Sequence, residues 1–453
     1  LSPLECIGFE TSPVVTLSHI YMMEFIHIHK VENIRECKRP IHLEEMNHLS
    51  LSYNCMYQLY VIHTSEHSSE SYNSLMSLLN RCKTPMGRRL CKQRILHPIV
   101  DPTKLQERYE MIESFQKDTF DSQSSYLYDT MIRNLTKIID IERGFRKMSV
   151  GSLCPCEFFN AHQSYHYINE LFKYLHVDYP SFLQHYIDVE TGLSDYVKHY
   201  SSLFIVDKMA SADMKNMNRS IFHTDIYPEI DAMSCKINSR VTLLQQITDK
   251  LGFYIDKHKT GVVKLSYTDS NGYQMLLTQT RAKKLKERLQ NLSQKSFVFS
   301  VEGPDDTSLS YTFLISDIIS TMKSKKSDIV LTHPHILELT ESLVSLEERM
   351  KRLNRTYYLT TIDTLYKTHK DLFSRIVDCV STIDIYSCFA KLSTMNGYCK
   401  PLIKSKEDMS SYMVGESMRH PLVEKIQTDV PYVPNDISFH KSGMLLFGTN
   451  ACG

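Results

Sequence analysis

From Ile336 the apolar positions Ile336, Leu339, Leu343, Leu346, Met350, Leu353 and Tyr357 step by 3, 4, 3, 4, 3 and 4 residues. These are three heptads of a and d positions, with Glu347, Glu348, Arg349, Lys351 and Arg352 on the outside. The spacing predicts one long helix through 333–392, about 90 Å at 1.5 Å per residue. Ile237, Val241, Leu244 and Leu251, with Thr248 as the polar exception, offer it an outgoing partner. Two antiparallel arms would then flank 252–332. The stripe alone is also what ordinary bundle packing produces.

The flanked segment changes period. Gly261-Val262-Val263-Lys264-Leu265-Ser266-Tyr267 and Tyr273-Gln274-Met275-Leu276-Leu277-Thr278 read as strands. Between them Asp269-Ser270-Asn271-Gly272 carries an Asn-Gly hairpin signal. From Arg281 to Lys295 six basic residues stand against one acidic, +5 over fifteen positions, headed by Arg281, Lys283, Lys284 and Lys286. Lys323, Lys325 and Lys326 form a second cluster. A charge run is in most proteins a solvated helix face. At the end of a two-helix arm it is also placed to meet phosphates.

Residues 13–30 read as one buried helix, with Val14, Leu17, Ile20, Tyr21 and Phe25 on one face. Thr84-Pro85 and Asp101-Pro102 each place an N-cap before an N1 proline, and His97-Pro98 closes the first of these two helices. Residues 393–453 turn to short elements: Asn396-Gly397-Tyr398, Arg419-His420-Pro421-Leu422-Val423-Glu424 and Pro431-Tyr432-Val433-Pro434-Asn435-Asp436. They lead to Met444-Leu445-Leu446-Phe447, an apolar run of strand length, and then to Gly448-Thr449-Asn450-Ala451-Cys452-Gly453. That order is the front of a phosphate-binding P-loop, in which glycines let backbone N–H groups turn around a phosphate. The lysine and hydroxyl residue that complete it do not follow, so the chain reads as a fragment without catalytic residues, inactive as an ATPase.

Composition narrows the picture. The 453 residues allow two to four domains, and only 14 glycines and 15 prolines favour helix over turn-rich sheet. Basic and acidic residues balance at 52 each, which excludes a whole-surface attraction to nucleic acid and leaves only a local patch. The 12 cysteines and 20 histidines lack metal-ligand spacing and read as reduced thiols and dispersed imidazoles, with no metal site. No run of 18 apolar residues occurs, so no membrane span is expected. Tryptophan is absent, which reads as compositional bias.

Four of these motifs, in this order, resemble the DNA mismatch-repair ATPases of the MutS type. Ser74-Leu75 through Thr84-Pro85-Met86-Gly87-Arg88-Arg89-Leu90, continued by Ile95-Leu96-His97-Pro98-Ile99 and Leu105-Gln106-Glu107-Arg108, is similar to the start of the family's core domain. Gly272-Tyr273-Gln274-Met275 resembles its clamp strand, and Arg419 to Glu424 the start of its ATPase domain. The 448–453 form resembles most the branch of giant viruses and octocoral mitochondria.

The resemblance implies a mainly α fold: a helical core with long coiled-coil levers and a small β-containing clamp. It adds a truncated α/β connector remnant at the N-terminus and a truncated P-loop ATPase domain at the C-terminus. The implied boundaries are 1–31 connector, 32–251 core and outgoing lever, 252–332 clamp, 333–392 returning lever and 393–453 ATPase start. It further implies ATP, with Mg²⁺ in the full-length protein, cradled by Gly448, Thr449, Asn450, Ala451, Cys452 and Gly453, with Tyr432 and Val433 near the adenine. Mismatched duplex DNA would meet Arg281, Lys283, Lys284, Lys286, Lys323, Lys325 and Lys326. Dimerisation would run through the ATPase domain, and the branch implies a mitochondrial location. The readings carried beside ATP-dependent mismatch binding are a recombination-type clamp on branched DNA and a structural coiled-coil adaptor with a degenerate nucleotide fold.

Overall fold

Pro334 opens a helix of 63 residues, Pro334–Asn396, the return helix. Proline at the first position gives up an N–H that would have had no partner, and the His333 ring accepts the His335 N–H at 3.2 Å as the cap. Gly397, at φ +62°, supplies the left-handed residue that ends it. The structure, a computed structural model, describes residues 9, 12–29, 31–37, 40, 48–63, 72–117, 126–178, 182, 185–256, 261–268, 272–301, 309–320, 322–325, 328–331, 333–403, 412–426 and 429–439. The chain divides into two compact units, one of residues 1–78, 93–110 and 400–453, the other of 79–92 and 111–399.

In the larger unit the outgoing helix Pro228–Ile255 pairs with the return helix. The pairing is antiparallel: Tyr227 and Thr361 hydroxyls meet at 2.6 Å, the Tyr357 hydroxyl donates to Glu229 at 3.1 Å, and Arg240 donates to the Ser342 hydroxyl at 2.8 Å. Ile237, Leu244, Thr248 and Leu251 are buried in it, as the outgoing stripe predicts.

The buried face of the return helix departs from the heptad. It runs through Ile336, Leu339, Leu343, Glu347, Met350, Asn354, Tyr358, Thr361 and Leu365, 29 residues in eight steps. That is the 3.6-residue period of a straight helix. A strict heptad drifts off such a face by about 20° per repeat. Leu346, Leu353 and Tyr357 therefore slide to its flank and stay half-buried. Glu347, expected outside, is buried at 4% exposure.

Further on, residues 379–388 of the return helix are buried all round. Helices Leu127–Leu135, Ile141–Ser149, Pro155–Asp178 and Ile187–Leu203 form the core about this half of the helix. Phe145 stacks on Phe373 at 4.0 Å, and Tyr196 meets Phe373 edge-on at 5.0 Å. The helix expected after Thr84 begins at Pro85, and Thr84 accepts the Gly87 N–H at 2.9 Å as its cap.

Between the two long helices lies the small β-containing body. Strands β1 (Lys264–Thr268) and β2 (Gly272–Thr278) form the predicted hairpin, Lys264 opposite Leu276 and Thr268 opposite Gly272. Its turn residues 269–271 lie outside the described residues. Strands β3 (Ser296–Val301) and β4 (Leu309–Leu314) pair apart from it; β5 (Met322–Lys325) and β6 (Asp328–Leu331) complete an antiparallel sheet of order β1-β2-β6-β5. The clamp helix, Gln279–Gln290, packs against this body through Ala282, Leu285 and Leu289.

In the smaller unit, Pro13–His29 is helical as expected, but none of its residues is buried: Val14 is 76% and Phe25 62% exposed. Apolar side chains at Val14, Val15, Leu17, Ile20, Tyr21, Met22, Phe25 and Ile28 spread around the helix. Their period dictates helix, whereas burial needs a partner surface that the described residues do not provide. Asp101 accepts the Thr103 N–H at 2.9 Å, capping the helix that starts at Pro102. Strands β7 (Met413–Met418) and β8 (Asn435–Phe439) pair antiparallel. Between them the His420 ring accepts the Leu422 and Val423 N–H groups, each at 3.3 Å, and Arg419 pairs with Glu424 at 3.0 Å. No helix among the described residues is long and apolar enough to cross a membrane, and no three His, Cys, Asp or Glu among them cluster as metal ligands.

Candidate nucleic-acid interface

Helical geometry sorts the basic run by role. Ala282, Leu285 and Leu289 fix the buried face of the clamp helix. Arg281 and Arg288, seven residues apart, share one flank. Arg281 donates to the Val262 carbonyl at 3.1 Å, and Arg288 to the Tyr254 and Ile255 carbonyls at 3.1 and 3.3 Å. The last carbonyls of the outgoing helix have no partner within that helix, so the Arg288 guanidinium both satisfies them and complements the helix dipole. Lys283, Lys284 and Lys286 stand exposed on the remaining faces, with Glu287 the acidic residue among them. The helix Gln279–Gln290 thus contains two arginines that brace it and three lysines open to solvent.

Lys323 and Lys325 both lie on β5. That strand is an edge of the four-stranded sheet, and lysines on an edge also discourage pairing with another chain. Lys326 lies outside the described residues. Tyr432 is half-buried and Val433 is 73% exposed, just before β8 in the smaller unit. Gly448, Thr449, Asn450, Ala451, Cys452 and Gly453 lie outside the described residues.

Two buried carboxylates tie the clamp and the core to the return helix, and the sequence does not announce either. Glu347 accepts the Tyr273 hydroxyl of β2 at 2.8 Å and pairs with Arg219 at 3.4 Å. Burial, then the bond to Glu347, push the Tyr273 phenol up to about 12, so the hydroxyl stays a donor at neutral pH. Two turns on, Asn354 donates to the Met217 and Arg219 carbonyls at 2.8 Å each, which holds the loop carrying Arg219.

At the other end of the helix, Asp384 is fully buried. Its Oδ1 accepts the Lys83 N–H at 2.9 Å, and its Oδ2 accepts the Thr84 N–H and hydroxyl at 2.7 Å each. This is the physical content of the Thr84-Pro85-Met86-Gly87 motif. A Cβ on Gly87 would stand 2.2 Å from Asp384 Oδ2, so only glycine fits. Beside it Arg89 forks onto Asp140 at 2.7 and 2.9 Å and reaches Glu142 at 3.0 Å. Burial would raise the Asp140 carboxyl, but the Arg89 guanidinium prevails and holds it below the usual range.

A helical core from which two antiparallel helices carry a small braced β body defines a mainly helical protein with a β-containing insertion. Residues 54–390 match the family model for MutS domain III, and the chain belongs to the MutS family. It is 26% identical over 464 residues to a putative DNA mismatch repair protein, a mutS homolog, of Acanthamoeba polyphaga mimivirus, covering 96% of this chain and 38% of that protein. It is 24% identical over 391 residues to the mitochondrial DNA mismatch repair protein mutS homolog of Sarcophyton glaucum, covering 84% and 35%. To the DNA mismatch repair protein MutS of Clostridioides difficile it is 22% identical over 365 residues, covering 80% and 34%. The chain therefore spans little more than a third of the length of these relatives.

Proposed function

We propose that this chain is the core, levers and clamp of an ATP-switched protein that binds mismatched duplex DNA, with the clamp helix as its phosphate-contacting face. The observation that carries the reading is the exposed set Lys283, Lys284 and Lys286 on a helix braced to the outgoing lever by Arg288. A neutral chain needs such a local patch to hold a polyanion. Arg281, Lys323, Lys325 and Lys326 add positive charge to the same body. The mismatch repair names of the viral, mitochondrial and bacterial relatives support mismatched duplex as the class of DNA.

In this reading the boundaries are 1–31 connector, 32–251 core and outgoing lever, 252–332 clamp, 333–392 return lever and 393–453 the start of a nucleotide-binding domain. Backbone N–H groups of Gly448, Thr449, Asn450, Ala451, Cys452 and Gly453 would receive ATP phosphates, and the exposed Val433 and neighbouring Tyr432 would pack on the adenine. The full protein would dimerise through its ATPase domain. Mitochondrial residence, suggested by the likeness to the Sarcophyton protein, belongs to the same proposal.

Titration of labelled duplex at several salt concentrations tests it. Each phosphate neutralised contributes about −0.9 to the slope of log K against log salt. Lys283→Ala with Lys284→Ala should weaken binding about equally on any sequence and flatten the slope by roughly one to two units. An unchanged slope removes these lysines from the DNA-binding surface.

A further inference from the structure

A cavity of about 570 Å³ lies where the core loop 205–224 meets the outgoing and return helices. It is distinct from the clamp face, and no role described above uses it. Its volume is that of a site for a mononucleotide-sized molecule. Two cations line it, Lys208 and Arg219. Asp231 is its one acidic lining residue, and Asp231 Oδ2 already accepts the Asp225 N–H at 2.9 Å. Asn216 and Asn238 add amide donors, while Met217 and Met350 give an apolar floor.

The cations have donors to spare. Lys208 reaches the Ser220 carbonyl at a long 3.5 Å, and its side chain is exposed. Arg219 is half-exposed and gives Glu347 one nitrogen at 3.4 Å, out of a fork of five N–H donors. Excess positive charge, amide donors and an apolar floor together match an anion joined to a flat or aliphatic body.

We propose that this cavity binds a phosphate-bearing small molecule of nucleotide size, with Lys208 and Arg219 on the phosphates and Met217 and Met350 against the remainder. Arg219 also pairs with Glu347, which holds Tyr273 of the clamp hairpin. An occupant would therefore touch the contact that ties the clamp to its lever.

The test uses the full chain labelled with ¹³C at its methionine methyls, with ADP, inorganic pyrophosphate and adenosine as probes. The Met217 and Met350 signals are assigned by single Met→Leu replacement. ADP and pyrophosphate should shift both signals saturably, and adenosine should not. Lys208→Ala, at an exposed position, should weaken both phosphate probes by about tenfold or more, the scale of a lost charge-assisted hydrogen bond. Shifts confined to other methionines, equal affinity in Lys208→Ala, or adenosine binding as tightly as ADP would each overturn the proposal. Because the readout sits in the core, the outcome is independent of whether the clamp helix binds DNA.

Discussion

The Thr84 hydroxyl donates to Asp384 Oδ2 at 2.7 Å, joining residues 300 apart in the chain. The same oxygen accepts the Thr84 N–H, and its sister oxygen accepts the Lys83 N–H. A buried carboxyl thus anchors the cap of one helix inside the wall of another. Removing a buried acceptor strands its donors, at a cost of about 1–3 kcal/mol.

Asp384→Asn should lower stability by that amount, because an amide turns a donor toward one set of donors. Burial raises the Asp384 carboxyl above the usual carboxylate range, against the hydrogen bonds from Lys83 and Thr84. A pKa raised on folding makes a contribution that is fully present below the unfolded value and lost as pH rises through the folded one. The deficit of Asp384→Asn should therefore be wider in acid and narrow toward neutrality. Urea unfolding followed across pH checks both, and a pH-independent deficit rejects the account.

Gly87→Ala places a methyl against Asp384 Oδ2 and should cost about 1–3 kcal/mol as overpacking. Asp384→Ala removes the obstructing carboxyl. The double variant should then lose less than the two single losses added, since contacting residues are not additive. Additive losses would show that the two positions do not press on one another.

The lever pairing has one register. Cysteines at Arg240 and Ser342 should cross-link through a short thiol reagent, after serine replaces the exposed Cys37, Cys235 and Cys399. A pair at Arg240 and Arg349 should not. Comparable yields from both pairs, read on denaturing gels, would contradict the antiparallel register.

Tyr273→Phe and Glu347→Ala should be coupled by about 1 kcal/mol in a double-mutant cycle, since each removes the same buried bond. The raised Tyr273 phenol adds a pH signature. Its contribution is whole below the ordinary phenol pKa of about 10 and is lost as pH rises through about 12. Tyr273→Phe should show a flatter alkaline stability loss than wild type. Zero coupling, or parallel alkaline curves, would mean the bond does not secure the clamp.

Arg281 and Lys284 should separate cleanly. Arg281→Ala leaves the Val262 carbonyl without its guanidinium donor and should lower the thermal midpoint of the clamp. Lys284→Ala, exposed, should leave that midpoint within noise. Equal midpoints for the two variants would contradict a bracing role for Arg281.

The sequence by itself determined the elements. Proline after a capping residue fixes a helix start by removing an unmatched N–H, so Pro85 and Pro102 were readable in advance. The period change after 252 likewise announced the β1–β2 hairpin. These are local rules, satisfied within a few residues. Only the tertiary structure decided which faces those elements bury. The return helix obeys its 3.6-residue period over the heptad, and that small mismatch, accumulated over turns, brings Glu347 inside and slides Leu353 to the flank. Helix Pro13–His29 has the apolar period but no covering partner among the described residues, because period specifies shape and not company. Arg281 and Lys284 carry the same formal charge, and only the position of the Val262 carbonyl distinguishes brace from open cation. Asp384 and Thr84 lie 300 residues apart. Their bond follows from folding the return helix against the core, a long-range contact that no local pattern encodes.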